Sequence, residues 1–371
     1  MEIQLSQLLD NCHPDTRVKT VIADIESRDG TELKRLCGLM VSSGLISETG
    51  TDSGDSDHNL TRLSTAFDEL LVNIKSLETE TNVLTVRKAT AIQSTEYNNV
   101  YPMSKKPRGY CVIIDNEFFT DEIQCTHPPE ISCELVPLAH IQLRRRTGTT
   151  ADANRLSSVF KQLFFAVKIH RNKTVEQMKA LLADIAADSA LVGHDALAVI
   201  ILSHGATEGI YGTDGVTVPL KSILEMFNNE NCPQLIDKPK MFFLSACRGG
   251  KTDPGARKSL GPNLAAMGKP STAPIVSTWS DMFVYFSTVE GYVSTRNIFK
   301  GSWFGQELAN CLAESAHREH LNDLVTIEVA KRVSDRITEI DGRPIKQAIE
   351  THIRGSVNKV YFNPGLYEDD S

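Results

Sequence analysis

A chain of 371 residues with 41% hydrophobic and 23% charged side chains is neither collagen-like nor wholly disordered, and its length favours one large domain plus a smaller segment. A formal net charge of −8 argues against a nucleic-acid partner, because phosphate contacts need a basic face. The longest clean apolar run, Ala196 to Leu202, is far short of the roughly 20 residues of a membrane helix.

Met1 to Cys12 lacks the basic and apolar regions of an export signal. The eight cysteines show no CxxC pair, so reduced cytosol is the expected compartment. Residues 1-80 read as helical: Leu33, Leu36, Leu39 and Met40, then Leu63, Phe67, Leu70 and Leu71, recur at steps of three and four. Between these runs, Glu48 to Asp57 is acidic and rich in turn formers, as a surface loop is. Asn59 and Asn172 match the glycosylation acceptor pattern, which chance supplies at this length. Residues 81-106 are polar, with few apolar anchors, and read as a linker.

From Arg108 the pattern changes. Gly109 to Ile114, Ala196 to Leu202 and Lys240 to Ser245 are unbroken apolar runs, expected to be strands buried on both faces of a parallel sheet. Amphipathic helices are predicted at Asp152 to Phe165 and Val175 to Leu191, giving an α/β layer structure with right-handed crossovers. Lys251 to Ser280 holds Pro254, Pro262, Pro270 and Pro274 without any period, a long loop of the kind that is functional or disordered. Met282 to Ser287 resumes as a strand, Trp303 to Cys311 and Leu321 to Ile337 as helices, and Val357 to Phe362 as a last strand.

Two of the buried strands end in chemistry. Ile200-Ile-Leu-Ser-His204-Gly205 closes one, and Phe242-Phe-Leu-Ser-Ala-Cys247-Arg-Gly-Gly250 closes another. Open α/β sheets bind ligands beyond the carboxyl ends of their strands, so the two tips are expected to share a site. A thiol is a strong nucleophile as thiolate, and an imidazole can take its proton and later protonate a leaving amine. Gly205, lacking a Cβ, lets its N–H approach a reacting carbonyl, forming an oxyanion hole with the N–H of Cys247. Alone, Cys247 would read as core filler and His204 as a structural histidine; together at strand tips beside glycines, they point to catalysis.

Ser245-Ala-Cys-Arg-Gly249, with His204 43 positions before Cys247, resembles the signature of the caspase family. Pro107 to Asn116 is similar to the first strand of caspase domains, and Arg146-Thr-Gly-Thr-Thr-Ala-Asp152 to the loop entering their first helix. Asp281 to Asn297, followed by Gly301-Ser-Trp-Phe304, resembles the opening of the small subunit. The likeness implies a three-layer α/β sandwich: a mostly parallel central sheet flanked by helices, plus the N-terminal helical segment. It implies a large subunit over 107-250, an intersubunit linker over 251-280 and a small subunit over 281-371. It also implies a cysteine endopeptidase cutting proteins after aspartate in cell-death signalling, without cofactor or metal. The N-terminal helices are then either a death-effector-like module meeting an adaptor or a plain pro-region. A homodimer formed through a last strand at Asn358 to Phe362 is implied too.

For the substrate aspartate the resemblance names Arg146 and Arg296, since a desolvated carboxylate needs fixed, fork-shaped cations. Ser245, Val293, Ser294, Thr295 and Trp303 complete the implied substrate-binding set. Three departures follow. Ser245 stands where the family carries glutamine, shortening the reach to the substrate aspartate. Val293 and Thr295 replace aromatic positions and imply a wider second subsite. Within Lys251 to Ser280 the one aspartate is Asp253, and Pro254 after it makes a poor scissile bond. Asp55 and Asp57, in the acidic loop, are the other candidate processing positions. A catalytically weak homologue acting as a scaffold is the alternative, favoured by Ser245 and the aspartate-poor linker and opposed by Cys247, His204 and the two arginines.

Overall fold

The structure, a computed structural model, describes residues 84–93, 99–119, 143, 145–207, 209–248, 277–297, 300–340, 343–355 and 358–368, all within the unit Val83–Ser371. The helices expected over residues 1-80, Asp55 and Asp57 among them, and the linker aspartate Asp253 lie outside the described residues.

In chain order the elements begin with β1 (Gly109–Asp115), α1 (Thr149–Gln162), β2 (Phe165–Arg171), α2 (Val175–Ala186) and β3 (Ala196–Leu202). A hairpin of β4 (Gly209–Tyr211) and β5 (Thr217–Pro219) leads to α3 (Leu220–Glu225) and β6 (Lys240–Ser245). Then come β7 (Met282–Phe286), the short pair β8 (Arg296–Asn297) and β9 (Gly301–Ser302), and α4 (Trp303–Ser315). The last elements are α5 (Leu321–Asp323), α6 (Ala330–Asp335), the hairpin β10 (Thr338–Ile340) and β11 (Arg343–Ile345), and β12 (Glu350–Arg354).

Six strands form one sheet in the order β12-β7-β6-β3-β1-β2, parallel throughout except where β12 pairs antiparallel with β7. Because successive side chains on a strand point to opposite faces, each central strand feeds two cores. Cys111, Ile113, Ile200, Phe243 and Tyr285 join Leu156, Val159 and Phe160 of α1 and Phe304, Leu308 and Leu312 of α4. Val112, Ile114, Val199, Ile201, Phe242 and Val284 join Val175, Met178, Leu182 and Ile185 of α2 and Ile223 and Leu224 of α3. This is the expected caspase-like sandwich. α2 starts where it does because Thr174 and Gln177 form a capping box, each side chain bonding the other's N–H at 3.3 and 3.2 Å.

The structure shifts several predicted elements. The first helix ends at Gln162 rather than Phe165: Phe164 sits at φ 64°, and Phe165 opens β2. The second ends at Ala186, and Ser189–Gly193 follows as a 3₁₀ turn. The helix expected over Leu321 to Ile337 carries a π-helical stretch, Leu324–Val329, and stops at Asp335. The last strand needs correction. Asn358 to Phe362 adds no strand to the large sheet; its described pairing is a single parallel bridge from Lys359 to Val100. Val360 and Phe362 are apolar because they are buried in the core under β1. The sheet edge is instead β12, whose polar sequence suits a half-exposed edge strand.

Candidate active site

Parallel strands place β1, β3 and β6 with their carboxyl ends side by side, and the residues just past those ends are cross-linked by hydrogen bonds. Asn116, fully buried after β1, donates from Nδ2 to Ser203 Oγ at 3.3 Å and accepts the Lys173 N–H at Oδ1 at 2.8 Å. Ser203 N–H in turn donates to the Ser245 carbonyl at 3.3 Å, tying the tip of β3 to that of β6.

At these tips Gly205 and Cys247 meet backbone to backbone. A Cβ added at Gly205 would lie 2.2 Å from the Cys247 carbonyl oxygen and 2.9 Å from Ala246 Cβ, so only glycine fits. The hairpin beyond uses the His204 carbonyl, which accepts Tyr211 N–H at 3.0 Å, and the Ala206 N–H, which donates to Gly209 O at 2.9 Å. Those bonds leave the Gly205 amide out of the hairpin ladder. The His204 ring packs on Phe119 with centroids 4.7 Å apart.

Cys247 is a free, partly exposed thiol, whereas Cys111, Cys232 and Cys311 are buried. Burial pushes the thiols of these three upward, Cys311 to about 12, which keeps them protonated and inert. The Ser294 N–H donates to Cys247 Sγ at 3.4 Å. The next residue, Arg248, is pinned: its N–H donates to Tyr292 O at 2.9 Å and its guanidinium to Glu350 at 2.5 Å and Glu290 at 3.3 Å.

Arg146 is 3% exposed and crosses the same strand ends. Its guanidinium donates to Thr149 Oγ1 at 2.8 Å, Ser245 O at 3.2 Å and Asn116 O at 3.4 Å, all neutral acceptors. Burial, then repulsion from Arg296, pushes Arg146 down to about 9. Arg296, on β8, is also lowered by burial, and its Nε donates to Thr147 O at 3.0 Å. The two arginines and Cys247 are within electrostatic reach of one another.

Ser245 is buried, and its hydroxyl lies 3.1 Å from Ser302 Oγ. Ser302 caps α4 by accepting the Gly305 N–H at 2.9 Å, and its own N–H donates to Asp152 Oδ2 at 2.7 Å. Ser245 is thus built into the wall through a chain of bonds ending in a buried carboxylate. Thr295 is fixed at both backbone groups: its N–H donates to Gln347 Oε1 at 2.7 Å, and its carbonyl accepts the Trp303 N–H at 3.1 Å. The side-chain oxygens of Ser294 and Thr295 are buried and have no hydrogen-bond partner among the described residues. Val293 is half-buried between them and Tyr292.

Sequence reasoning missed three members of this assembly. Gln347 bridges Thr295 N–H and, through Nε2, Ser287 O at 2.6 Å, yet a lone glutamine before a polar strand carries no signal. Glu350 holds Arg248 from β12, a partner 102 positions away. Asp152 falls within the quoted Arg146-to-Asp152 motif, and an acidic residue in the first turn of a helix reads only as favourable to the dipole. Among the described residues no group of three His, Cys, Asp or Glu is arranged to hold a metal, and no helix is long and apolar enough to cross a membrane.

Comparison with known proteins fits this geometry. The family model described as "Caspase domain" matches residues 108–355. The chain is 31% identical over 261 residues to caspase-10 of Homo sapiens, covering 69% of this chain and 46% of that one. It is 30% identical over 248 residues to caspase-2 of Gallus gallus, covering 64% of this chain and 53% of the other. The chain therefore spans about half the length of these relatives. Among solved structures, caspase-1 from Spodoptera frugiperda superposes with a TM-score of 0.60 at 26% identity, over 75% of this chain and 99% of that one.

Proposed function

The chain belongs to the caspase family, and from that premise we propose that it is an active cysteine endopeptidase that cuts proteins after aspartate. The observation that carries the reading is the meeting of the Gly205 and Cys247 backbones beside the buried Arg146 and the half-buried Arg296.

In this reading Cys247 passes its proton to His204 as Sγ attacks the scissile carbonyl carbon, and the carbonyl π pair moves onto oxygen. The N–H groups of Gly205 and Cys247 receive that oxyanion. His204 delivers a proton to the leaving nitrogen as the C–N bond breaks, leaving a thioester on Cys247. Water, deprotonated by His204, then attacks the thioester, releasing the acid and restoring the thiol. Arg146 and Arg296 hold the substrate aspartate. The loop of Val293, Ser294 and Thr295 pairs with the substrate backbone, and Trp303 borders it. The Ser294 N–H on the thiol is given up when the substrate arrives.

Ser245 weakens this pocket. Its hydroxyl is engaged with Ser302, so one hydrogen bond to the substrate carboxylate is lost, worth about 1.5–3 kcal/mol where no water replaces it. Cleavage in the intersubunit linker at Asp253 is slow because of Pro254. Either another bond is cut there or dimerisation activates the intact chain. The unpaired side of β12, rather than Asn358 to Phe362, is the surface a second copy would extend. Action in cell-death signalling and a cytoplasmic location belong to the same reading.

The test is positional scanning of peptide substrates with the recombinant full chain, alongside Cys247→Ala. Release after aspartate that Cys247→Ala abolishes is the expected result. No turnover of any aspartyl peptide would favour the scaffold alternative, and equal cutting after asparagine and aspartate would refute the specificity.

A further inference from the structure

Beneath the arginine pair lies a carboxylate that the mechanism does not use. Asp152, in the first turn of α1, is 0% exposed. Its Oδ2 accepts the Ser302 N–H at 2.7 Å, while Oδ1 has no hydrogen-bond partner among the described residues. Two glycines make room for that oxygen. A Cβ at Gly301 would fall 2.1 Å from Oδ1, and one at Gly305 would fall 2.5 Å from it. The Ser302 hydroxyl also acts on this carboxylate, yet a buried oxygen pressed against two bare backbones is an expensive arrangement unless an electrostatic need retains it.

That need is visible in the pocket. Arg146 is bonded to neutral acceptors alone, and Arg296 donates from Nε to a neutral carbonyl. Asp152 is the leading opposing charge for both. The other charged groups on the surrounding elements are accounted for. On α1 itself, Arg155 attracts Asp152 and donates to Lys300 O at 3.4 Å. Asp115, at the end of β1, faces Arg171 of β2 at 3.5 Å. Glu117 pairs with Arg145 at 2.8 Å. Glu307 of α4 pairs with Arg336, and Cys247 lies at the end of β6. Asp115 also attracts Arg146 and Glu117 also attracts Arg296, but each is paired with another arginine, so Asp152 is the carboxylate on which both pocket guanidiniums chiefly lean.

We propose that Asp152 is the resting counter-ion of Arg146 and Arg296, and that it takes up one proton from solvent when a substrate carboxylate settles between them. The step rests on the aspartate-pocket reading above. A second anion entering this low-dielectric site repels Asp152, and the carboxylate that can leave the ionised state is the one with an oxygen free to carry a proton. Oδ1 is that oxygen. Burial already pushes Asp152 up to about 6, so little further repulsion protonates it near neutrality. Once neutral, Asp152 ceases to compete and both guanidiniums act on the substrate. Asp152 is a positioning residue, acting on substrate through the arginines.

The sign follows from linkage. If the bound complex holds more protons than the free pocket, affinity falls as pH rises from about 6 through the higher bound value. The test uses the full chain carrying Cys247→Ala and His204→Gln, which removes the nucleophile and its imidazole partner, and a peptide amide ending in aspartate. Titration calorimetry at pH 7 in phosphate and in Tris, whose ionisation heats differ, reads the protons exchanged. The expected result is uptake of about half to one proton, with affinity falling about tenfold from pH 6 to 8. Adding Asp152→Asn, which keeps an oxygen for the Ser302 N–H, abolishes both effects. Equal proton uptake with and without Asp152→Asn overturns the proposal. Should Asp152→Asn not fold, binding by the parent protein that is flat from pH 6 to 8 overturns it as well. Absence of any aspartyl-peptide binding would sink the pocket reading and this inference together, whereas binding without a linked proton sinks this inference alone.

Discussion

Gly205→Ala is the sharpest single perturbation of the proposed chemistry. The new methyl would stand 2.2 Å from the Cys247 carbonyl oxygen, while even a close C···O contact needs about 3.3 Å. The two backbones must therefore part by about 1 Å. Neither side yields freely: His204 O and Ala206 N are bonded to the β4 segment, and Arg248 N to Tyr292 O. Crowding of this kind costs about 1–3 kcal/mol of stability. The same separation spreads the two N–H groups proposed to receive the oxyanion, and a 1 Å misplacement lowers the rate about 100-fold. That corresponds to about 2.7 kcal/mol of transition-state stabilisation. Because the arginines are untouched, the loss should fall on kcat and leave KM within about threefold. Steady-state hydrolysis of an aspartyl peptide, at a temperature where urea unfolding shows the variant folded, measures it. A folded Gly205→Ala enzyme with parental kcat would refute the shared oxyanion site.

Arg146→Met should lower kcat/KM for aspartyl peptides about 100-fold or more, because truncating one partner of a buried charge pair costs about 2–5 kcal/mol; rate ratios on aspartyl and asparaginyl peptides measure it. Gln347→Leu leaves Thr295 N–H and Ser287 O without a partner, so urea unfolding should show a loss of about 2–4 kcal/mol, with KM rising as the loop bearing Arg296 loosens. Folding also carries a pH signature from Asp152. The folded chain holds its proton up to about 6, the unfolded chain only to about 4, so folding takes up a proton in between and stability falls as pH rises through that window. The expected loss relative to Asp152→Asn is about 2–3 kcal/mol, read from denaturant midpoints at pH 4 and pH 6.5.

Sequence made the centre of the sheet legible because β3, β6 and β7 are buried at every residue and are apolar apart from Lys240 and Ser245 at the two ends of β6. The edges obey another rule. β2 and β12 pair on one side only, so Lys168, Glu350 and Arg354 are tolerated and the apolar signal vanishes. Asn358 to Phe362 misled for the converse reason: Val360 and Phe362 are apolar because they fill the core, and burial does not require pairing. The π-helical stretch Leu324–Val329 leaves no trace in a pattern read at 3.6 residues per turn. At the site, Cys247, His204 and Gly205 declared themselves because each follows a buried strand. Asp152 and Gln347 did not, since their partners, Ser302, Thr295 and Ser287, are assembled only by the fold.

The exchange of glutamine for serine at position 245 is best weighed as one part of a charge system rather than as a lost contact. Two unit charges 4 Å apart attract by about 4 kcal/mol at the effective dielectric of a protein site, before desolvation. Arg146 bonds neutral acceptors alone and Arg296 donates from Nε to a carbonyl, so an incoming anion gains from both guanidiniums whether or not an amide helps. Desolvation of the anion offsets part of that, but Arg146, 3% exposed, is already dehydrated by the fold, and Arg296 is half-buried. Asparagine would leave the guanidinium charges unanswered. The field should therefore outweigh a hydrogen bond worth about 1.5–3 kcal/mol, so Ser245 lowers the rate on aspartate without erasing the preference. Ser245→Gln tests this directly: turnover after aspartate should rise about tenfold or more, while the ratio of aspartate to asparagine cleavage stays high in both proteins. Loss of discrimination in the parent, restored by glutamine, would mean that the amide rather than the cation pair reads the charge.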